Sequence, residues 1–394
     1  MKNKYLSTKL ACYIAYIVQA VVNNFLCILF IAFQDVYSLG YEKLARLFIF
    51  NFAVQMIADF STPKIVAKLG YRKTAVLCQF MAAAGLIMLS VLPSIIDNTY
   101  LAIIVSIIFY AFGSGLMEVI ISPLIEMLPT KNKSGNMAFL HSFYCWGQAF
   151  TVVVTTLLIG GLGYTKWALI PLIWAIIPLL NMFSFLKVPL VEPDKEEKEE
   201  NFKKLFRDER FRIYMVMMLC AGASEIAMAQ WASMFAQQAL GVSKVIGDLA
   251  GPCAFALCMA TGRVFQSAVS QKIQFEKLLI VLSTLCAVCY LVVSFSNIPA
   301  LSLVFCAVCG FTVSISWPGI YSAGAKTFPK GSATMFSVFA ICGDTGCCLG
   351  PWLLGIVAEA ANLKVGFAVS ALFPLVMIIA TLLLVKNKDC KSAA

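Results

Sequence analysis

Charged residues are scarce in this chain. They make up 13% of its 394 residues, whereas a soluble globular domain carries roughly a quarter. Apolar residues account for 61% of the chain, and its mean hydropathy is +0.87. Polar residues are too few to cover a water-facing surface, so lipid must be the main solvent. The formal net charge of +10 comes without a basic patch interleaved with aromatics, which excludes nucleic acid as a partner.

Catalytic motifs are missing as well. The chain has one histidine, His141, and its neighbour Ser142 would point about 100° away on a helix, so the two do not face each other. No H-E-x-x-H, Gly-x-Ser-x-Gly or phosphate-binding Gly-Lys-Ser/Thr motif occurs. We therefore predict that the chain is not an enzyme and needs no cofactor.

The fifteen cysteines lie almost entirely in apolar runs, which is typical of small buried residues and not of a secreted disulfide framework. Two Cys-Ala-Val-Cys copies, Cys286/Cys289 and Cys306/Cys309, do have metal-ligand spacing. Their runs contain no histidine or carboxylate, so we interpret all four as packing residues and predict no metal site.

Twelve apolar runs are long enough to cross a bilayer, which needs about 20 helical residues. They lie near residues 10–33, 44–66, 73–93, 99–126, 137–161, 166–186, 212–238, 246–271, 277–296, 299–323, 332–360 and 363–385. Lipid cannot satisfy free backbone groups, so every run should be helical. The predicted fold is an all-α membrane protein with twelve transmembrane helices, numbered here span 1 to span 12.

Basic residues predict the orientation. Twenty-four of the thirty lysines and arginines lie at the termini or in the loops on the same side, and five lie in the opposite loops. The positive-inside rule places the richer side in the cytoplasm. We expect a multi-pass protein of the plasma (inner) membrane, surrounded by the lipid bilayer, with both termini cytoplasmic.

One long hydrophilic stretch divides the chain. The predicted domains are residues 1–186 with six spans, a cytoplasmic linker at 187–211, and residues 212–394 with six more spans. The linker holds an acidic run, 194–200, followed by apolar residues among lysines and arginines that suit a short helix at the inner interface.

The two halves also resemble each other. Gly115 and Pro123 in span 4 recur at the same spacing as Gly310 and Pro318 in span 10. Tandem halves are typical of secondary transporters, in which one half rocks against the other and exposes a midplane site to each side in turn.

Polar residues inside the spans indicate a candidate site, because a buried ionisable group costs at least about 2.5 kcal/mol. Several form stripes at helical spacing: Gln19 and Asn23 on span 1, Asn51, Gln55 and Asp59 on span 2, Glu118, Ser122 and Glu126 on span 4, His141, Cys145 and Gln148 on span 5, and Ser337, Ile341 and Asp344 on span 11. Such stripes favour a wet path, and hydrogen bonding that only holds the bundle together is the alternative.

Depth within the spans assigns roles. The predicted substrate-binding residues, near the midplane, are Asn23, Asn24, Gln148, Glu225 and Asp344, with Trp231 and Trp317 able to stack on a ligand. Aromatic packing within the bundle explains the two tryptophans equally well. Asp59 and Arg263 lie towards the cytoplasm at equivalent positions of the two halves, and we predict that they form a charged gate; local pairing within each half is the alternative.

These features resemble the major facilitator superfamily. The six-plus-six plan and the loop Lys68-Leu-Gly-Tyr-Arg-Lys73 after span 2 carry the resemblance. Within that superfamily, Gly113-x-Gly115-x-x-Glu118-x-x-x-Ser122-Pro123 and the pair Asn23-Asn24 are similar to motifs of the fucose permease group, although Cys27 stands where that group has an Asp. The resemblance implies the major facilitator fold and makes Glu118 the proton-carrying or sugar-binding acid.

The leading hypothesis is a proton-coupled importer of a sugar or other small polar metabolite, acting as a monomer by alternating access. Desolvation favours the neutral form of a buried carboxyl group, so protonation and substrate occupancy can be linked. The alternative is proton-coupled efflux of amphipathic compounds or drugs, suggested by Gly346-x-x-x-Gly350-Pro351 in span 11, which resembles an antiporter motif. A signalling receptor with a transporter fold would have the same sequence features, and a flux assay separates the two.

Overall fold

The structure is a computed structural model that describes residues 5–39, 41–191, 202–238, 240–243, 246–247, 249–329 and 332–392. Its helices are α1 (Leu6–Ile28), α2 (Phe30–Tyr37), α3 (Tyr41–Ile95), α4 (Thr99–Glu126), α5 (Lys133–Leu162), α6 (Leu169–Lys187), α7 (Phe202–Arg207), α8 (Glu209–Gln238), α9 (Ala254–Val269), α10 (Phe275–Phe295), α11 (Pro299–Val313), α12 (Ser316–Thr327), α13 (Ser332–Ala360), α14 (Leu363–Ser370) and α15 (Leu372–Ser392). The described residues contain no strand, and the all-α fold is confirmed.

Ten helical segments within the described residues are long and apolar enough to cross a membrane. One of them, Ile49–Ile95, contains both span 2 and span 3. Helix α3 breaks between them at Gly70, whose φ of 75° lies in the left-handed region that favours glycine. Span 8 is not among the ten segments because α9, with 16 residues, is too short by itself. A π-helical turn at Leu249–Cys253 precedes it. All twelve predicted runs therefore lie on helices.

Three spans that the sequence predicts as continuous are each made of two helices: span 1 (α1 and α2), span 10 (α11 and α12) and span 12 (α14 and α15). In span 10 the break comes at Ser314, four residues before Pro318. Proline has no backbone N–H, so the Ser314 carbonyl lacks its usual helical donor. The pattern of apolar residues does not indicate this helix break.

Glycines let α4 approach both limbs of α3. An ideal Cβ on Gly115 would lie 2.6 Å from the Gln55 carbonyl oxygen, and one on Gly113 would lie 2.7 Å from that of Cys78. A side chain at either position would overlap the neighbouring backbone. The motif around Gly113 and Gly115 therefore positions Glu118, one turn further along α4.

Glycines also allow a close approach between α13 and α8. A Cβ on Gly346 would meet the carbonyl oxygen of Leu219, and one on Gly350 would lie 2.6 Å from that of Ala223. We call this contact and the α3–α4 contact the glycine seams. Backbone packing accounts for the two glycines that resembled an antiporter motif.

The described residues group into two compact units. Unit 1 comprises those within Met1–Pro129 and Trp146–Glu196, and unit 2 those within Thr130–Cys145 and Glu197–Ala394. The beginning of α5 therefore belongs to unit 2 and its remainder to unit 1. The division into six-span halves at the linker stays a prediction.

Part of the linker, residues 192–201, lies outside the described residues. After it, α7 is a six-residue helix in which Leu205 is buried and Phe206 is exposed. Its location at the membrane interface stays a prediction.

The core of unit 2 contains the cysteines of both Cys-Ala-Val-Cys copies. Cys286, Cys289, Cys306 and Cys309 are buried in a cluster with apolar side chains such as Phe255. The sulfur atoms of Cys286 and Cys309 are 3.8 Å apart. Their packing role agrees with their position in apolar runs.

Candidate functional site

Glu118 is the centre of a polar cluster in unit 1. Its side chain is buried on α4, and its Oε2 atom accepts hydrogen bonds from Gln19 Nε2 and Gln55 Nε2, each at 2.9 Å. The two glutamines lie on α1 and α3, so one carboxylate oxygen connects three helices. Amide N–H groups stabilise the ionised form of a carboxylate.

Further polar contacts surround this carboxylate. Ser122, one turn beyond Glu118, is 2.7 Å from the hydroxyl of Tyr16 on α1. The Ser114 hydroxyl donates to Asn23 Oδ1 at 3.1 Å. Spans 1 and 4 therefore meet through side chains at three levels, and Asn23 is part of that contact.

Gln19 Oε1 and Asn51 Oδ1 are buried and accept no hydrogen bond from the described residues. A buried acceptor without a donor is costly. These atoms can therefore accept from a hydroxyl or ammonium group of a ligand.

Asn24 and Gln148 complete the predicted binding residues of unit 1. Asn24 Nδ2 donates to the Ala20 carbonyl on its own helix at 2.8 Å, and both side chains are half-buried. Gln148 follows Gly147, where an ideal Cβ would lie 2.9 Å from that of Ala20 on α1. The side chain of Cys27 lies outside the described residues.

Asp59 faces α4 within unit 1. It lies one turn beyond Gln55, it is fully buried, and an ideal Cβ on Gly115 would lie 3.0 Å from its Oδ1 atom. The predicted gating residue thus sits beside the glycine that sets the distance between α3 and α4.

Arg263 and Glu225 form a buried ion pair in unit 2. Arg263 Nη2 is 3.2 Å from Glu225 Oε2, and the two residues are 2% and 6% exposed. Arg263 Nε also donates to the Ser314 carbonyl at 3.3 Å, and its Nη1 to the His141 carbonyl at 2.9 Å. The sequence predicted a gate for Arg263 and substrate binding for Glu225. The structure brings the two together, which is the local pairing left open as the alternative.

Aromatic residues adjoin this ion pair. The ring centroids of His141 and Tyr321 are 5.7 Å apart, and those of Tyr321 and Trp317 are 6.1 Å apart. The Trp317 indole packs against the backbone of Gly343 on α13, next to Asp344. Asp344 itself is 3% exposed.

Trp231 contacts α13 nearer to its end. Its Nε1 atom donates to the Pro351 carbonyl at 3.2 Å, and its ring covers Gly355. Trp231 is half-buried. Both predicted tryptophans therefore pack against α13. This agrees with the alternative that they are packing residues of the bundle.

A polar clasp holds the beginning of α5 inside unit 2. Asn132 Oδ1 accepts from the Gly135 backbone N–H at 2.8 Å and from the Ser270 hydroxyl at 2.9 Å, while its Nδ2 donates to the Ser267 carbonyl at 3.2 Å. Ser134 contacts Ser322 at 2.7 Å and accepts from Lys326 at 3.0 Å.

Several partners in these sites were missed from the sequence. Gln19 and Gln55 belonged to the predicted stripes, so helical spacing identified their faces but not their shared carboxylate. Asn132 precedes a helix, and its role as N-cap was readable from sequence. The carbonyls of His141 and Ser314 carry no sequence signal. Within the described residues, no group of three or more His, Cys, Asp or Glu side chains is placed to hold a metal ion.

Comparison with known proteins gives one curated relative and several similar structures. "Membrane protein MosC" from Rhizobium meliloti is 21% identical over 294 residues, which is 75% of this chain and 70% of that protein. The Escherichia coli fucose:proton symporter FucP superposes with a TM-score of 0.82 at 17% identity, covering 97% of this chain and 99% of that one.

The proton:xylose symporter XylE superposes with a TM-score of 0.84 at 13% identity, covering 98% of this chain and 96% of that one. At such identities these structures show a shared fold and nothing finer. The sequence profile of the Major Facilitator Superfamily matches residues 12–351. The chain belongs to the Major Facilitator Superfamily of membrane transporters, whose fold is twelve helices in two halves.

Proposed function

We propose that this transporter is a proton-coupled importer of a sugar or other small polar metabolite. The observation that carries the proposal is the Glu118 cluster. A carboxyl group buried at 7% exposure accepts from glutamines of two other helices through one oxygen. Such a group inside a membrane domain is expensive and marks a functional site.

Protonation of Glu118 changes what its neighbours can do. The ionised carboxylate is an acceptor that holds the amide groups of Gln19 and Gln55, whereas the protonated carboxyl group is itself a donor and a weaker acceptor. Loss of the charge therefore weakens the bonds that hold α1 and α3 to α4. Proton binding to Glu118 would therefore alter the contacts of two neighbouring helices, α1 and α3.

The substrate site is proposed around the midplane amides and carboxylates: Asn23, Asn24, Gln148, Glu225 and Asp344. Amides donate and accept, and carboxylates accept. This combination suits a polyhydroxylated or cationic solute and repels an anion. Trp231 and Trp317 border the same helix, α13, as Asp344. The unpartnered oxygens of Gln19 and Asn51 add two acceptors for hydroxyl groups.

Two of the compared structures support a sugar as the substrate class. FucP is described as a fucose:proton symporter and XylE as a proton:xylose symporter. We extend that chemistry to this chain because Glu118 lies on α4 with acceptors around it. Asp59 and Arg263 are proposed to control conformational cycling, since both are buried charged residues at equivalent positions of the two predicted halves.

The setting of the transporter is also a proposal. The distribution of lysine and arginine favours both termini in the cytoplasm. We propose the plasma (inner) membrane as its location. A monomer suffices, because each proposed role falls on residues of a single chain.

Transport by purified protein in liposomes tests the proposal. A panel of neutral sugars, amino acids and organic acids is offered with and without an inward proton gradient. We expect accumulation of a neutral polyol or sugar that depends on the gradient. Gradient-independent equilibration of every compound would reject proton coupling, and preferential uptake of a dicarboxylate would reject the proposed substrate-binding residues.

A further inference from the structure

A surface cavity lies where α10 ends and α14 begins in unit 2. Its volume is about 380 Å³, and its lining includes Asn297, Asn362 and Lys364 beside Phe295 and Val365. None of its lining residues belongs to the polar clasp or to the Arg263 ion pair. None of the roles discussed above uses it.

The polar groups of this cavity are arranged as donors. Lys364 Nζ donates to Asn297 Oδ1 at 2.7 Å and to the Ser296 carbonyl at 3.2 Å. An ammonium group has three hydrogens, so one remains. Asn362 Oδ1 accepts from the Val365 backbone N–H at 3.0 Å. With both amide oxygens in use, the NH₂ groups of Asn297 and Asn362 remain as donors, and no lining residue carries a carboxylate.

The surroundings of the cavity are apolar. Phe295 and Val365, which line the cavity, are 73% and 40% exposed, and Ile298, three residues after Phe295, is 60% exposed. Phe295 ends one membrane-spanning helix, and Lys364 lies at the start of another segment long enough to span, Leu363–Asn387. The cavity is therefore at the membrane boundary, with lipid-facing side chains next to a cation.

The other half offers an internal comparison. Lys166 lies at the start of span 6, as Lys364 lies at the start of span 12. Lys166 ends a short 3-10 turn, Tyr164–Lys166. Lys166 is exposed, and its ammonium group makes no hydrogen bond within the described part of the chain. The two lysines have similar places in the repeat, but Lys364 alone of this pair is fixed at a cavity.

We propose that the cavity binds the phosphate of an anionic membrane phospholipid, with the acyl chains lying along Phe295 and its apolar neighbours. A phosphate accepts charge-assisted hydrogen bonds from an ammonium group and further bonds from amides. The absence of carboxylates in the lining removes repulsion. Coulomb attraction draws an anionic headgroup towards a basic residue at the membrane surface. Free phosphate shares this chemistry, but the exposed apolar side chains favour the lipid.

Delipidated full-length protein in neutral detergent tests the proposal. Thermal unfolding is followed during titration with phosphatidylglycerol, phosphatidylcholine or inorganic phosphate. We expect saturable stabilisation by phosphatidylglycerol and much weaker effects of the other two. Lys364→Gln should weaken the phosphatidylglycerol effect at least tenfold, Lys364→Arg should retain it, and Lys166→Gln should match the wild type.

A second variant protects the test against a loss of folding. Val365→Glu places a carboxylate at the exposed rim and keeps Lys364, and it should also lose the phosphatidylglycerol effect. Equal stabilisation of the wild type, Lys364→Gln and Val365→Glu would overturn the proposal. Saturable stabilisation by inorganic phosphate that competes with the lipid would overturn it in favour of a soluble anion.

Discussion

Arg263 and Glu225 form an ion pair that is almost completely buried, with 3.2 Å between Nη2 and Oε2. The guanidinium group also holds the Ser314 carbonyl at the break of span 10 and the His141 carbonyl on α5. One side chain therefore links four spans: 5, 7, 8 and 10. Burying two charges is costly, and the cost is offset only while every partner is present.

Arg263→Gln should destabilise the protein strongly, by about 3–5 kcal/mol, because it leaves a buried carboxylate without its cation. The double variant Arg263→Gln/Glu225→Gln should regain part of the loss, since it removes both charges. Thermal unfolding in detergent measures both effects. Asp208→Asn is the matched control, because it breaks a pair with Arg210 that is 25% exposed on each side and should cost less than about 1 kcal/mol. Equal losses in the single and double variants would show that the charges do not compensate each other.

Glu118→Gln should abolish accumulation driven by a proton gradient and spare counterflow exchange. The neutral isostere mimics the protonated carboxyl group but cannot release a proton. Uptake in liposomes with and without the gradient measures the difference. Glu126→Gln, two turns further along α4, is the control and should remain coupled. Unchanged gradient-driven uptake by Glu118→Gln would reject Glu118 as the coupling group.

Asp344→Asn and Glu225→Gln should each weaken substrate binding at least tenfold, or about 1.4 kcal/mol. Each change replaces a carboxylate by an amide, so a hydrogen-bond donor of the bound substrate loses its charged acceptor in a site without water. Substrate-induced thermal stabilisation or tryptophan quenching in detergent measures the affinity. Glu359→Gln, exposed on the same helix as Asp344, should bind normally. If only Glu225→Gln binds substrate normally, Glu225 serves only the ion pair with Arg263. If both variants bind substrate normally, the two carboxylates hold the bundle together or carry protons.

Gly115→Ala should lower folded yield and melting temperature, because its methyl group would overlap the Gln55 carbonyl. Gly160→Ala is the control, since a Cβ there meets nothing within 4 Å. Alanine in an exposed helix is favoured over glycine by about 0.5–1 kcal/mol. Size-exclusion chromatography and thermal unfolding of the two variants compare them directly. Equal behaviour would show that α4 can move away from α3 without cost.

The sequence predicts the elements of this fold well, because membrane-spanning helices need long apolar runs. Spans 4 and 11 were predicted within a residue of α4 and α13. The helix break at Ser314 was not predicted, since it comes where Pro318 leaves a backbone carbonyl without its helical donor and not where hydropathy changes. Helical spacing likewise placed Gln55 and Glu118 on polar faces. It could not show that Gln19 and Gln55 share one oxygen atom, because the rotation of each helix is set by packing.

The glycine seams limit the kinds of motion open to this transporter. Where Gly115 faces the Gln55 carbonyl and Gly350 faces that of Ala223, the backbones pack with no room for a Cβ atom between them. Shear between packed helices, a common way for proteins to change shape, would bring neighbouring residues that do have a Cβ atom against these carbonyls. We therefore expect the helices of each seam to move together, and deformation to occur where long side chains separate the helices. The stiffness of these two helix pairs therefore depends on residues that have no side chain.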